Sequence, residues 1–379
     1  MPRSPLHTAG RLLAVLFLAL SLSAQASAGN GPISEPDALG PWAVGRTTFA
    51  VVDPDRDDRT LAVDAWYPVD PGDAGGPPSV YDMIFAGIVS EVAFDEPPVS
   101  AEGPFPLVVF SHGNNGLRFQ SYFLTEHLAS HGMIVVAPDH SGNTAWDWLF
   151  PGTPFETRDR PLDVSLLITR MLERSIDVAD PFFGRVDALR IGVAGHSFGG
   201  FTTLAMATGF QDIPPDPRVG AIMPISPASS GFSDEDLAEI TVPMFVLGGT
   251  SDITTPVDPQ SVRPFAFASS RPRYRVDLEK AGHGSFTNIC DIADALLGAG
   301  LPPVIVEAVL GNYAEGCAPE LIPIEEAHRV TNLYALAFFS RDLVGDPRYK
   351  RYLTPGRVHK ENLPVQFFVV NGGGNAGGR

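Results

Sequence analysis

Short apolar runs alternate with longer amphipathic segments through most of the chain. The apolar runs have the length of buried strands and lie at residues 106–110, 133–138, 190–194, 221–225, 242–247 and 274–278. Segments with helical spacing of apolar positions lie at residues 120–130, 164–174, 198–208 and 324–343. Alternation of buried strands with helices predicts an α/β protein, with a mainly parallel sheet covered by helices on both faces.

The region before the first buried run has a different pattern. Residues 47–52 and 60–67 alternate apolar with polar positions and are joined by the polar segment 53–58, which predicts an antiparallel hairpin. Residues 68–104 are rich in Pro and Gly, so we expect a long surface excursion there. Neither an internal repeat nor an interdomain linker is evident. We therefore expect one catalytic domain over 29–370 and a flexible Gly-rich tail over 371–379.

The first 28 residues have the composition of a secretory signal peptide. Arg3 and Arg11 precede an apolar stretch over 12–24, and the small residues 26–28 form a cleavage site. This apolar stretch is too short to favour a membrane span, and no later stretch is long and apolar enough for one. We expect cleavage near Ala28 and a secreted or periplasmic mature protein.

Composition and charge exclude some classes of function. The 379 residues are 44% hydrophobic and 18% charged, which is typical of a globular protein rather than a disordered one. The formal net charge is −18 at pH 7. Such a protein repels phosphate backbones and anionic membrane surfaces, so we expect no nucleic-acid partner.

Cys290 and Cys317 are the two cysteines of the chain. In an exported protein they favour a disulfide bond with each other. A two-cysteine metal site is a weaker alternative, because no histidine pair lies nearby at ligand spacing. A cysteine nucleophile is weaker still.

One short motif carries candidate chemistry. Residues 195–199 read GHSFG and fit the pattern G-x-S-x-G, between an apolar run and an apolar helical segment. A sharp strand-to-helix turn would expose the hydroxyl of Ser197, and the glycines at both ends would remove side chains that collide there. A structural glycine-rich turn is the alternative. In the strand-turn-helix context we interpret Ser197 as a nucleophile.

A serine hydroxyl needs a base, and His283 is the histidine best placed for that role. It lies between glycines just after the last predicted buried strand, where a serine hydrolase with the order Ser, acid, His carries its base. A solvated loop histidine is the alternative. The acid of this order would be Asp252, which follows the apolar run 242–247. Asp258, Asp234 and Asp236 are weaker choices because they lack that placement.

The loop FSHGNNG at residues 110–116 follows the first central strand. Enzymes with this order of residues bring backbone N–H groups there to a developing oxyanion, so we expect the amides of Asn114 and Phe198 to be the donors. Candidates for the walls of the substrate pocket are His112, Trp146, Trp148 and Phe286, with a buried core position as the alternative for the aromatic side chains.

The segments LVVFSHG at 107–113, LASHGMIV at 128–135 and GHSFGG at 195–200 together resemble a known superfamily. They are similar to the platelet-activating factor acetylhydrolase group of α/β-hydrolases and to dienelactone-hydrolase-like and cutinase-like polyester hydrolases. The resemblance covers about residues 45–343. It implies the α/β-hydrolase fold, the triad Ser197, Asp252 and His283, and an oxyanion hole formed by the amides of Asn114 and Phe198.

The chain differs from the animal phospholipid enzymes of that group in the position of the acidic residue of the triad. Those enzymes carry it one strand earlier, where this chain reads SPASSG at 226–231 without an acidic residue. Placement at Asp252 is similar to the bacterial and polyester-cleaving relatives, and no dienelactone-type cysteine nucleophile is present.

The sequence thus predicts a metal- and cofactor-independent serine carboxylic-ester hydrolase acting on small, lipid or polymeric esters. Two alternatives remain: an amidase or peptidase using the same triad, and a non-catalytic binding protein on this fold. The sequence leaves the oligomeric state and the acyl and alcohol specificity open.

Overall fold

The structure is a computed structural model that describes residues 35–311 and 313–371. The expected signal peptide (1–28) and all but the first residue of the expected tail (371–379) lie outside the described residues. One mixed sheet of eleven strands runs through the described region, in the order β11-β10-β9-β8-β7-β5-β6-β2-β1-β4-β3. The strands are β1 (Ala43–Asp53), β2 (Arg59–Val69), β3 (Pro78–Asp82), β4 (Gly87–Asp95), β5 (Phe105–Ser111), β6 (Ile134–Pro138), β7 (Val186–His196), β8 (Val219–Ile225), β9 (Met244–Gly249), β10 (Arg273–Leu278) and β11 (Val365–Val370).

Helices follow most of the central strands. They are α1 (Tyr122–Ser130), α2 (Ala145–Leu149), α3 (Asp159–Ile176), α4 (Phe198–Thr208), α5 (Asp234–Ala238), α6 (Val257–Gln260), α7 (Val262–Phe267), α8 (Ile289–Gly298), α9 (Pro303–Leu310), α10 (Ala314–Cys317), α11 (Ile324–Phe338) and α12 (Pro355–Glu361). Short 3₁₀ turns lie at Ser229–Gly231, His283–Phe286 and Pro347–Tyr352, and a π turn at Phe339–Leu343 extends α11. In the part of the chain that the structure describes, no helix has the length and hydropathy of a membrane span.

The predicted α/β fold is confirmed. Strands β5 to β10 pair in parallel, and each overlaps one of the six apolar runs. The predicted hairpin is β1 and β2, which pair antiparallel from Ala43 opposite Val69 to Asp53 opposite Arg59. Strand β2 in turn pairs antiparallel with β6, so the hairpin extends the parallel sheet.

The expectation for residues 68–104 is wrong in part. Strands β3 and β4 form within that segment and add a further antiparallel pair to the edge of the sheet, where β4 lies parallel to β1. Burial alternates along β3, with Ser79 and Tyr81 buried and Val80 exposed. Strand β11, which pairs antiparallel with β10 at the opposite edge, was not predicted.

The sheet divides the hydrophobic core into two layers because successive side chains of a strand point to opposite faces. In β5, Val108 and Phe110 belong to the layer that includes α1, α8 and α11. Leu107 and Val109 belong to the other layer, which includes α3 and α4. These continuous apolar strands, buried on both faces, hold the carboxyl ends of β5, β7, β9 and β10 along one edge.

Candidate active site

Ser197 lies between the last residue of β7 and the first residue of α4. Its backbone has φ 59° and ψ −115°, a strained conformation for a residue with a side chain. Its amide donates to the Ile225 carbonyl at 2.9 Å, which anchors the turn to β8. A Cβ at Gly199 would lie 1.8 Å from the Ser111 carbonyl oxygen, and one at Gly195 would lie 2.3 Å from that of Gly199. The close backbone approach therefore requires glycine on both sides of the serine.

His283 and Asp252 contact each other directly. His283 Nδ1 lies 2.9 Å from Asp252 Oδ2. Asp252 follows the end of β9, and His283 begins the 3₁₀ turn after β10. Because the carboxylate accepts from Nδ1, the proton of a neutral imidazole is held there and Nε2 is left as the basic nitrogen.

Thr255 completes the surroundings of the carboxylate. Its amide donates to Asp252 Oδ1 at 2.7 Å, and its hydroxyl lies 2.9 Å from Oδ2 and 3.0 Å from His283 Nδ1. Burial raises the pKa of Asp252, but hydrogen bonds from His283 and Thr255 outweigh it and hold that pKa below its ordinary range. The carboxylate therefore stays ionised at neutral pH, as the partner of an imidazolium must.

His196, the residue before Ser197, contacts the 3₁₀ turn that begins with His283. Its Nε2 lies 2.9 Å from the His283 carbonyl oxygen, and its Nδ1 lies 3.0 Å from Gln120 Nε2. Burial, with the nearby His283, lowers the pKa of His196 to about 3. His196 is thus a neutral bridge that fixes the backbone carrying His283.

The predicted oxyanion donors lie on two elements at the same edge. The amide of Gly113 donates to Gln120 Oε1 at 2.9 Å, which fixes the loop just before Asn114. Phe198 is the first residue of α4, so its N–H is among those without an acceptor in the helix. The partial positive charge of the helix N-terminus adds to the potential there.

One cavity of about 260 Å³ joins the serine, the histidine and one of the two predicted donor residues, whereas Asp252 and Phe198 are not among its lining residues. Ser197, His283 and Asn114 line it, with apolar and further polar side chains around them. The apolar part of the lining consists of Leu117, Ala145, Ile289, Ile292 and Leu310. The remaining polar side chains at the cavity are those of Asn115, Gln120, His196, Thr254, Thr287 and Glu315.

Comparison with known proteins identifies the family. A family model described as PET hydrolase-like matches residues 97–296, more than half of the chain. The chain belongs to the PET hydrolase-like family.

Curated relatives agree with this membership. Cutinase est1 of Thermobifida alba is 28% identical over 251 residues, which are 66% of this chain and 64% of that protein. Cutinase est2 of the same organism is 28% identical over 66% of this chain and 63% of its own length. A platelet-activating factor acetylhydrolase of Cavia porcellus is 21% identical over 72% of this chain and 65% of its own length. The match to the two cutinases thus spans less than two thirds of their length.

In this member of the PET hydrolase-like family, four residues that the sequence suggested for the pocket walls lie elsewhere. His112 and Phe286 are fully buried. His112 Nδ1 is bound to the Gly113 carbonyl and its Nε2 to the amide of His140, so this side chain belongs to an internal network. Trp146 packs against the core and Trp148 is 46% exposed, and neither lines the Ser197 cavity in the described chain. Phe286 and Trp146 pack in the core, which was the alternative given for the aromatic side chains.

The weaker choices for the acid are held away from His283 or have other partners. Asp234 pairs with Arg263 at 2.7 Å, and Asp236 accepts the amide of Ser233 at the start of α5. Asp258 lies in α6, beyond Thr255. Among the four acidic candidates, Asp252 is the one in contact with the imidazole.

Several residues of the site were not found from the sequence. Thr255 lies three residues after Asp252 and donates its amide to that carboxylate; an aspartate that accepts a following backbone amide is common in turns, so a local pattern existed. Ile289, Ile292 and Leu310 come from α8 and α9, which had not been predicted. Their place beside Ser197 depends on tertiary packing that no local pattern reveals.

The disulfide between Cys290 and Cys317 is present and closes the segment that contains α8, α9 and α10. Glu315 of α10 reaches the acid loop, accepting from the Ile253 amide at 3.2 Å and the Thr254 hydroxyl at 2.8 Å. This closed segment therefore joins a wall of the cavity to the loop that carries Asp252. Among the described residues, no group of three or more His, Cys, Asp or Glu side chains is placed to hold a metal ion.

Proposed function

We propose that the protein is a secreted serine hydrolase of carboxylic esters, with Ser197 as nucleophile, His283 as base and Asp252 as the acid that orients it. One observation carries the proposal. A serine on a strained strand-to-helix turn and an imidazole held by an ionised carboxylate line the same cavity. Membership of the PET hydrolase-like family supports ester hydrolysis as the reaction class.

In the proposed reaction, His283 takes the proton of Ser197 as the serine oxygen attacks the ester carbonyl. The carbonyl oxygen becomes an oxyanion, which accepts hydrogen bonds from the amides of Asn114 and Phe198. The imidazolium then protonates the leaving alcohol, and an acyl-enzyme remains. Water, activated by the same imidazole, attacks the acyl-enzyme and releases the carboxylic acid.

The cavity supports an apolar acyl group of limited length. Ile289, Ile292 and Leu310 offer aliphatic surface, and about 260 Å³ of space suits a short or medium chain. Glu315 at the lining disfavours anionic substrates. The relatives are named cutinases and a platelet-activating factor acetylhydrolase, which makes polyester and lipid esters further candidates.

Two features support secretion. The first 28 residues have the charge and hydrophobicity of a signal peptide. The disulfide bond between Cys290 and Cys317 fits an oxidising compartment.

Hydrolysis of p-nitrophenyl esters from acetate to laurate tests the function, with the corresponding anilides measured in parallel. We expect ester turnover that is highest for short or medium chains and falls by about 10⁴-fold or more in Ser197→Ala. Leu310→Ala should move the optimum to longer chains, whereas Val304→Ala, an exposed position on the same helix, should not. Undiminished hydrolysis in Ser197→Ala would remove the serine from the mechanism, and anilide cleavage at the ester rate would favour an amidase.

A further inference from the structure

Arg160 is a fully buried arginine that the proposed mechanism does not use. It is the second residue of α3, and its guanidinium reaches the loop after β5. Nη1 donates to the His112 carbonyl at 2.6 Å, and Nη2 donates to the Gly113 carbonyl at 2.9 Å. A single side chain thus holds two consecutive carbonyl groups just before Asn114.

The second of these carbonyls is covalently linked to a proposed oxyanion donor. The Gly113 C=O and the Asn114 N–H belong to the same planar peptide group. A cationic donor on that oxygen draws electron density from the peptide, so its N–H becomes a stronger hydrogen-bond donor. Since the atoms are coplanar, fixing the carbonyl also fixes the direction of the Asn114 N–H.

Arg160 also contacts the other elements of the proposed oxyanion site. Its Nε and Nη2 donate to Asn143 Oδ1 at 3.0 and 2.6 Å, and Asn143 Nδ2 donates to Asn114 Oδ1 at 2.9 Å. The guanidinium carbon lies 4.5 Å from the ring centroid of Phe198, the second proposed donor. Both residues whose amides would bind the oxyanion are therefore in contact with Arg160 or with its partner Asn143.

In the described structure, the positive charge of Arg160 is bound by the loop after β5 and not by a carboxylate. Among the described contacts its hydrogen bonds go to carbonyl, amide and hydroxyl oxygens, none to a carboxylate. The neighbouring His112 accepts the His140 amide at Nε2, so its Nδ1 carries the proton and donates to the Gly113 carbonyl beside Arg160. The nearby Asp163 is occupied by Arg59 and His140. Burial lowers the pKa of Arg160 to about 9, so the guanidinium is charged at neutral pH. A buried cation held by backbone oxygens is costly, which argues for a role beyond packing.

We propose that Arg160 is a positioning residue of the oxyanion site, which orients and polarises the Gly113–Asn114 peptide so that the Asn114 N–H stabilises the transition state. This inference rests on the proposed ester hydrolysis. It assigns to Arg160 an effect on the chemical step, exerted through the Asn114 amide.

Steady-state kinetics of Arg160→Lys and Arg160→Gln with p-nitrophenyl butyrate test this role. Lysine keeps the charge but has a single nitrogen, which cannot donate to the His112 carbonyl, the Gly113 carbonyl and Asn143 Oδ1 together as the guanidinium does. Removing an oxyanion donor costs about 10²–10³ in rate, so weakening one should lower kcat by about 10–100-fold. KM should change by less than about 3-fold, because the effect belongs to the transition state. The concentration of active sites is measured by titration with a fluorophosphonate, so that unfolded protein does not enter the calculation of kcat.

Inhibition by phenylboronic acid gives a second readout that a merely structural role would not move. Its serine adduct is tetrahedral and anionic, so its inhibition constant should rise in proportion to the loss in kcat. The matched control is Arg218→Lys, because Arg218 also contacts α3, through the Ser165 carbonyl at 2.9 Å, and does not contact residues 112–116 in the described structure. This control should keep kcat and boronate affinity within about 2-fold of wild type.

The outcomes separate this inference from the function on which it rests. Wild-type protein without ester hydrolysis would overturn the proposed function itself. Active wild type, with Arg160→Lys folded and its kcat and boronate affinity within 2-fold, would overturn the role of Arg160 alone. If neither Arg160 variant folds, Asn143→Ala decides, because it removes the side-chain amide that orients the Arg160 guanidinium and joins it to the side chains of Asn114 and Asn115. A 3- to 10-fold fall in kcat at constant KM supports the proposal, and an unchanged kcat overturns it.

Discussion

At the scale of single residues, the proposed chemistry depends on how His283 is held. Asp252 Oδ2 lies 2.9 Å from Nδ1, and Thr255 contacts both the carboxylate and the ring. His196 fixes the carbonyl of His283 from the other side. The imidazole is therefore set in one orientation and one tautomer before substrate arrives, which lowers the reorganisation needed at the moment of reaction.

Asp252→Asn tests the tautomer directly. An amide at this position donates to Nδ1 as readily as it accepts, which places the imidazole proton on Nε2 and removes the base. We expect kcat to fall by about 10⁴-fold with little change in KM, measured with p-nitrophenyl butyrate at pH 7.5.

Asp236→Asn is the matched control, because Asp236 accepts the Ser233 amide at an exposed helix start away from the cavity. Its kcat should equal that of wild type. If Asp252→Asn retained more than a tenth of the wild-type kcat, Asp252 would not be the acid of the triad.

The chemically distinctive residues of the candidate site could be proposed from the sequence, whereas the residues that support them could not. Ser197 lies in a motif whose glycines have a steric reason, and His283 and Asp252 follow apolar strands. Arg160, on α3, and Gln120, in the turn before α1, carry no local pattern, since arginine and glutamine side chains are usually solvated. Their positions follow only from the packing of α1 and α3 against the loop after β5.

At the scale of elements, the strongly apolar strands were predicted and the weak ones were missed. Strands β5 to β10 are buried on both faces, so their composition is sufficient to identify them. Strands β3 and β4 lie at the edge of the sheet and expose residues such as Val89, within a segment rich in Pro and Gly. The many turn residues of this segment hide its strand-forming residues in the sequence. The strands form because β4 pairs with β1 in the folded protein, which local propensity does not reveal.

The turn between β7 and α4 has almost no space for another atom. The Cβ of Gly199→Ala would meet the backbone oxygens of Ser111 and His112 at 1.8 and 2.8 Å. Neither oxygen can move without distorting the end of β5 or the loop that follows it, so we expect a loss of about 3 kcal/mol or more in the free energy of unfolding. Urea denaturation followed by circular dichroism measures it.

Gly298→Ala is the control for that substitution. It lies at the end of α8 with no atom within 4 Å of the added Cβ, so alanine should be neutral or raise stability by up to about 1 kcal/mol. Equal stability of the two variants would contradict the account of the turn.

The segment between the two cysteines lines part of the cavity and also contacts the loop that carries Asp252. Closing a loop with a sequence separation of 27 contributes roughly 3–4 kcal/mol by chain entropy. We expect the double variant Cys290→Ser/Cys317→Ser to unfold at lower temperature. Its kcat should also fall, because Glu315 would hold Ile253 and Thr254 less firmly.

Reductant provides the control for the disulfide. It should lower the stability of wild type towards that of the double variant and leave the double variant unchanged. Calorimetry that shows equal midpoints for oxidised wild type and the double variant would show that the bond does not stabilise the fold.

At the scale of the whole molecule, buried histidines dominate the response to acid. Burial lowers the pKa of six histidines: those of His127 and His196 to about 3 and those of His140 and His328 to about 4, with His112 and His131 also lowered. Unfolding returns each to about 6.5, so the unfolded chain binds more protons at these sites below that pH. Burial also raises the pKa of four carboxyl groups, which opposes the effect: that of Glu126 rises to about 7, that of Asp342 to about 6, and those of Asp139 and Asp277 rise as well.

The six histidines outnumber the four carboxyl groups, so unfolding takes up protons between pH 6.5 and 4.5. The free energy of unfolding should therefore fall as the pH is lowered through this interval, by about 1.4 kcal/mol per pH unit for each net proton. Urea denaturation at 0.15 M salt, which screens the exposed acidic surface, measures the slope. A flat or rising stability would contradict the assignment of these histidines as neutral and buried.

The central claim is that Ser197 attacks the substrate, and covalent labelling tests it most directly. Mature protein is treated with a fluorophosphonate, digested, and its modified peptide identified by mass spectrometry. We predict one adduct, on Ser197, absent in Ser197→Ala and formed far more slowly in His283→Ala, because the serine is nucleophilic only with its base. A protein that hydrolyses esters yet carries the label elsewhere, or labels equally fast without His283, would contradict the account.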